Sequence, residues 1–279
     1  MPRFVILAIV WVTFFPGPLF ALESSRPLVM GIFPNVSART ILTMYEPLRV
    51  FLEKELSQPV HLSTAPDFRT YVERTLNKEY DIAATAPHLV RLAQTKGHYV
   101  PMLNYTSEVR GVIVVAKDSS IKKPSELRGK MIAIPDRFAV ISIMGLEFLR
   151  DQGLNPDKDV KLFAARSHNN AVIAVDHGEA QAAIVGSAAY KQLPKELRSR
   201  LRVIASTVAI PGQFIIASPK LSLAQVERIK AALLKYAGTS EGKKFLETNG
   251  FGGLRPATEP VLKQLDRYAQ EVVKMLEQH

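Results

Sequence analysis

The sequence predicts an α/β protein of two lobes, each a mainly parallel sheet flanked by helices. Short apolar runs alternate with longer amphipathic segments from Leu28 onward, the pattern of strands joined by crossover helices. The alternation runs through about Val115 and restarts after Lys122-Lys-Pro-Ser-Glu126. The chain has 279 residues, enough for two lobes of ordinary size.

The elements follow in order. Leu28–Phe33 is a buried strand ended by Pro34, and Thr40–Leu56 a helix with Ile41, Tyr45, Leu48, Leu52 and Leu56 on one face. Val60–Thr64, Tyr80–Ala84, Val100–Asn104 and Val112–Ala116 are strands; Phe68–Asn77 and His88–Lys96 are helices. In the second series Met131–Ile134, Val160–Ala164, Ala182–Val185 and Leu201–Ala205 are strands, with helices at Ile141–Asp151, Asn169–His177 and Lys195–Arg200. A strand at Phe214–Ala217 and helices at Ser222–Tyr236, Glu241–Thr248 and Thr258–Glu277 close the chain.

The first residues read as an address. Basic Met1-Pro-Arg3, the uncharged apolar run Phe4–Phe15, and Ala21 before polar Glu23-Ser24-Ser25 make a secretory signal, residues 1–21, cleaved after Ala21. The run is shorter than the about 20 residues of a membrane span. Without cysteine the exported chain has no disulfide, thiolate nucleophile or lipid attachment. The net charge of +10 suits anionic ligands, but the basic residues are dispersed and no aromatic-interleaved stripe marks a nucleic-acid partner. The histidines lack metal-ligand spacing, and no nucleophile–base set is readable. An enzyme, such as a hydrolase, is therefore the weaker reading, and no metal or cofactor is expected.

Several stretches together resemble the periplasmic binding proteins of phosphonate and phosphite ABC transporters: Gly31-Ile-Phe-Pro34, Glu46–Glu53 with Gln58-Pro-Val60, Ala65-Pro-Asp-Phe68, Tyr80–Ala83 with Ala86-Pro87, Val114–Ser119 with Leu127–Lys130, Ser167–Ala171 with Ala174–Gly178, and Ile210-Pro-Gly212. The resemblance covers roughly residues 28 to 255. It implies a type II periplasmic binding fold. Residues 22–115 would form lobe 1, 116–208 lobe 2, and 209–279 the return to lobe 1. Hinges would lie near Val115–Lys117 and Ala205–Pro211. The implied partners are a small oxyanion or organic anion and an inner-membrane ABC permease, or alternatively a sensor kinase.

The resemblance also places the ligand. In that family a serine-threonine-serine run at a helix N-terminus grips the phosphonate oxygens. The matching positions here are Phe138, Ala139 and Val140, which leave only backbone N–H donors. Phe68 stands where the family often has tyrosine, as cleft wall or core. His168 matches a family histidine, as ligand donor or buried contact. Asn169 is a ligand contact or a cap. Arg110 and Arg137 are candidate charges, and Thr85 and His88 flank a strand-to-helix turn of the kind that binds ligands in open sheets.

Overall fold

A computed structural model describes residues 26–277; the signal segment 1–21 lies outside the described residues. The chain opens with β1 (Leu28–Ile32), α1 (Ala38–Leu56), β2 (Val60–Ser63), α2 (Phe68–Leu76), β3 (Ile82–Thr85), α3 (Pro87–Gly97), β4 (Val100–Tyr105) and the short β5 (Glu108–Val109). Then come β6 (Gly111–Ala116), β7 (Met131–Ile134), α4 (Val140–Asp151), α5 (Pro156–Asp159), β8 (Lys161–Ala164), α6 (His168–Asp176), β9 (Ala182–Gly186), α7 (Ser187–Gln192), α8 (Lys195–Ser199) and β10 (Leu201–Ser206). The chain returns through β11 (Ile210–Pro211), β12 (Phe214–Ala217), α9 (Leu223–Gly238), α10 (Ser240–Thr248), β13 (Leu254–Pro256), α11 (Glu259–Lys263) and α12 (Asp266–Glu277).

Two large sheets result, in the orders β13-β4-β12-β3-β1-β2 and β10-β6-β9-β7-β8, with β5 and β11 forming a third, two-stranded one. The β–α–β units give parallel ladders: β1 with β2 and β3, and β7 with β8 and β9. Antiparallel ladders enter where the chain crosses between lobes, at β12 with β3 and β4 and at β6 with β9 and β10. Strands buried on both faces, such as Ile82–Thr85 and Phe214–Ala217, read as continuous apolar runs. The amphipathic face expected of α1 is the one buried, with Ser37 accepting the Thr40 N–H as its cap.

β6 pairs within the second sheet, so the first crossing lies at residues 106–110, ahead of the Val115–Lys117 expected from sequence. An apolar run such as Val112–Ala116 fits the middle of either sheet, and only its partners decide. The crossings are themselves joined: β5 pairs antiparallel with β11 through Val109–Ile210 and Glu108–Pro211. The single helix expected over Thr258–Glu277 is two, because the Leu265 N–H bonds the Leu262 carbonyl in a tighter turn. That turn lays α12 against both α3 and α4, so one helix touches both lobes.

Gly31 in β1 lies under the Tyr80 ring, which stacks on Tyr71 at 5.5 Å. A Cβ at Gly31 would lie 2.4 Å from Tyr80 Cγ, so this position needs glycine for close approach. Gly31→Ala should lower unfolding stability by about 1–3 kcal/mol through overpacking, read as a reduced urea midpoint with an unchanged slope.

Candidate functional site

The carboxyl ends of β1, β3, β7 and β8 point toward one gap between the lobes, where open α/β sheets bind ligands. The gap encloses about 450 Å3, within the range of small-molecule sites. Lobe 1 contributes Phe33, Pro34 and Asn35 after β1, Pro66, Asp67 and Phe68 at the start of α2, and Ala86-Pro87 at the start of α3. Lobe 2 contributes Pro135 and Asp136 after β7, Ala139, Val140 and Ile141 opening α4, and Arg166, Ser167 and His168 opening α6. Val109 and Gln213, from the crossings, complete the lining.

Four helices begin at this cleft. Asp67 caps α2 by accepting the Thr70 N–H at 2.7 Å, and Ser167 caps α6 by accepting that of Asn170 at 3.1 Å. The N-termini of α3 and α4 carry no side-chain cap. The first N–H groups of α4 thus remain for a ligand, with the helix dipole favouring an anion. Asp136 accepts the Phe138 N–H at 2.7 Å, which shapes the turn before α4.

The charged side chains of the lining are Asp67, Asp136 and Arg166. Arg166 makes no ion pair among the described residues, and its backbone is left-handed, φ 68°. Such a conformation in a non-glycine residue costs of order 1 kcal/mol and clusters at ligand clamps. His168 Nδ1 accepts the Gly186 N–H at 3.3 Å. The ring proton therefore sits on Nε2, and burial pushes the imidazole below its ordinary pKa. His168 is a neutral donor.

Of the sequence-predicted residues, the structure brings Phe68, Ala139, Val140 and His168 together in the lining. It takes six elsewhere. Phe138 precedes the N-cap Ala139; its ring lies 5.3 Å beneath the Arg69 guanidinium of lobe 1. Arg137 turns out to Asp157 at 2.8 Å. Arg110 donates to the Thr207 carbonyl at 3.0 Å and braces the crossings. Thr85 is buried in the ladder opposite Phe214. His88 is fully buried behind the lining, with Nε2 2.9 Å from the Phe138 carbonyl. Asn169 is exposed outside the lining.

Arg166, Asp136 and Gln213 were not foreseen. The signal that could have found the first two was position, since each follows a strand that ends at the cleft. Gln213 is fixed from below by the Tyr45 hydroxyl at 3.4 Å, a contact between residues far apart in sequence.

A cleft of this size between two lobes, walled by apolar side chains and opened on by helix N-termini, defines a two-lobed ligand-binding protein. The family model described as "ABC transporter, phosphonate, periplasmic substrate-binding protein" matches residues 30–261. The chain belongs to that family. A phosphonates-binding periplasmic protein of Escherichia coli (strain K12) is 22% identical over 258 residues, covering 87% of this chain and 76% of the relative. Among solved structures, a Xanthomonas citri protein bound to ATP superposes with a TM-score of 0.79 at 17% identity, covering 91% of this chain and 99% of that one. A Prochlorococcus marinus (MIT 9301) protein in complex with methylphosphonate gives 0.75 at 14%, covering 89% and 99%. Both solved structures share the type II periplasmic binding fold.

The His168 geometry has a direct spectroscopic consequence. Nitrogen chemical shifts should show the Nε2–H tautomer, and its titration midpoint should fall below 6.5. A proton on Nδ1, or a midpoint above 6.5, contradicts the arrangement.

Proposed function

We propose that the protein captures an organic anion with an apolar body in this cleft and presents it to an ABC importer. The observation that carries this reading is the lining itself. Uncapped N–H groups of α4, the Nε2–H of His168 and the Arg166 guanidinium supply donors for one anionic end. Phe33, Phe68, Val109, Val140 and Ile141 supply an apolar wall for the rest.

A small tetrahedral dianion suits these walls poorly. A buried charge needs each oxygen paired, and Ala139 and Val140 offer no hydroxyl. Asp67 and Asp136 add two negative charges to the lining, which the dipoles of the helix N-termini and Arg166 offset. Each missing charge-assisted hydrogen bond removes about 1.5–3 kcal/mol. An organic monoanion needs fewer donors and gains from about 25 cal/mol per Å2 of apolar surface buried.

In this reading residues 1–21 direct export, β5 and β11 form the hinge, and the lobes close over the ligand. Calorimetry on the exported protein tests it. Methylphosphonate and inorganic phosphate should bind weaker than micromolar, while a panel of aliphatic and aromatic organic acids should contain a tighter ligand. Arg166→Ala should then weaken that ligand by about 10- to 150-fold. Micromolar or tighter methylphosphonate binding would overturn the reading.

A further inference from the structure

Phe138 lies on the turn of lobe 2 before α4, yet its carbonyl and its ring meet lobe 1. Its carbonyl meets His88 Nε2 at 2.9 Å, at the start of α3. Its ring meets Arg69, on α2, at 5.3 Å. Arg69 in turn donates to the Met275 carbonyl near the end of α12 at 3.3 Å. Pro87, next to His88, lines the cleft, so parting the lobes would bring this imidazole to cleft water. We propose that His88 is a positioning residue, an interlobe latch that holds the ligand turn only while its imidazole is neutral, so that the cleft opens as pH falls.

The geometry fixes the proton. A carbonyl accepts only, so Nε2 carries the hydrogen and donates to Phe138. A second proton would land on Nδ1, which is buried and has no hydrogen-bond partner among the described residues. Protonation therefore leaves an unpaired buried charge in the closed arrangement. Among the described residues, the other charged groups on the surrounding elements point elsewhere: on α2, Arg74 pairs with Glu79 and Glu73 is exposed, and on α3, Lys96 is exposed. On α3, Arg91 pairs with Asp266 and Glu259. On the turn, Asp136 takes the Phe138 N–H and Arg137 pairs with Asp157. On α4 and α12, Glu147 and Asp151 pair with Arg267, and Glu271 with Arg150. Arg69, which meets the same Phe138, is a like charge. With no carboxylate to hold it charged, burial pushes His88 down to about 4.

The sign follows. The closed form carries the lowered pKa, and an imidazole in water keeps about 6.5. Closure is undiminished above 6.5 and weakens as pH falls toward 4. Between pH 7.5 and 4.5 the closed-to-open ratio should fall by about 70-fold.

The inference rests on closure as the binding step but not on which anion binds, and its test uses no ligand. Small-angle scattering of the full exported chain, titrated from pH 7.5 to 4.5, should show the protein expanding with a midpoint below 6.5. His88→Gln keeps an N–H donor and cannot gain a proton; it should stay compact throughout. His177→Gln, at an exposed histidine outside the lining, should keep the wild-type transition. Should His88→Gln misfold by circular dichroism, the wild-type NMR titration of His88 decides, with a midpoint clearly below 6.5 expected. A wild-type shape unchanged across the range, a His88→Gln protein that opens with the wild-type midpoint, or a His88 imidazole titrating near 6.5 overturns the latch.

Discussion

The two chain segments that cross between the sheets are hydrogen-bonded to each other, and the cleft depends on that pairing. β5 and β11 form a two-stranded ribbon. The Gly212 N–H reaches the Ser107 carbonyl at 2.7 Å, an approach that a side chain would block: a Cβ at Gly212 would lie 2.6 Å from the Ser107 hydroxyl. Thr207 accepts the Gly111 N–H on its hydroxyl, and Arg110 donates to its carbonyl. The crossings thus act as one element. Val109 of this ribbon and Gln213, two residues past it, line the cleft, so in the proposed function a bound ligand would touch the segment about which the lobes turn.

From that ribbon outward, the cleft is built by strand ends and helix starts. A strand delivers its last residue at the lobe boundary, and the next helix begins there with unpaired N–H groups. Two such helices are capped by their own side chains, Asp67 and Ser167, and two are not. The pattern sorts the site into a closed rim and an open face. The open face offers backbone donors, the neutral His168 and Arg166, with the amides of Asn35 and Gln213 beside them, and the proposal of an anion with few oxygens rests on this set.

Much of this was legible in the sequence. Helical spacing of Ile41, Tyr45, Leu48 and Leu52 identified the buried face of α1, and the alternating apolar runs located most strands. The crossing point was not legible, because Val112–Ala116 is apolar enough for the centre of either sheet. The turn was half legible. Ala139 and Val140, the positions the family resemblance pointed to, line the gap. Phe138, one residue earlier, points to lobe 1, since the backbone before the N-cap is not helical and turns the side chain away. His88 and Arg110 are polar residues beside the cleft that serve the scaffold instead; local pattern cannot distinguish a side chain facing a ligand from one facing a carbonyl across the gap. Arg166 lay unremarked because its left-handed backbone has no sequence signature outside glycine and asparagine.

The C-terminal helix sets the terms on which the lobes can separate. Tyr268, Ala269, Val272 and Met275 are buried, within a core that runs continuously from α3 into α4. Around that stripe lie ion pairs to both lobes: Asp266 with Arg91 of lobe 1, and Arg267 and Glu271 with Glu147, Asp151 and Arg150 of lobe 2. The two kinds of contact respond differently to motion. The Arg267–Asp151 pair is exposed, worth about 0–1 kcal/mol, and re-forms with small shifts of long side chains. The Glu271 carboxylate is buried, and parting it from Arg150 would leave its charge unpaired. Apolar surface loses about 25 cal/mol for every Å2 exposed, so small shifts of α12 along α4 cost far less than lifting it away. Under the proposed closure, a small shear at α12 coupled to a bend at the β5–β11 ribbon costs least. Arg69 connects that shear to the ligand turn, because its guanidinium contacts the α12 carbonyl of Met275 and the ring of Phe138 at once.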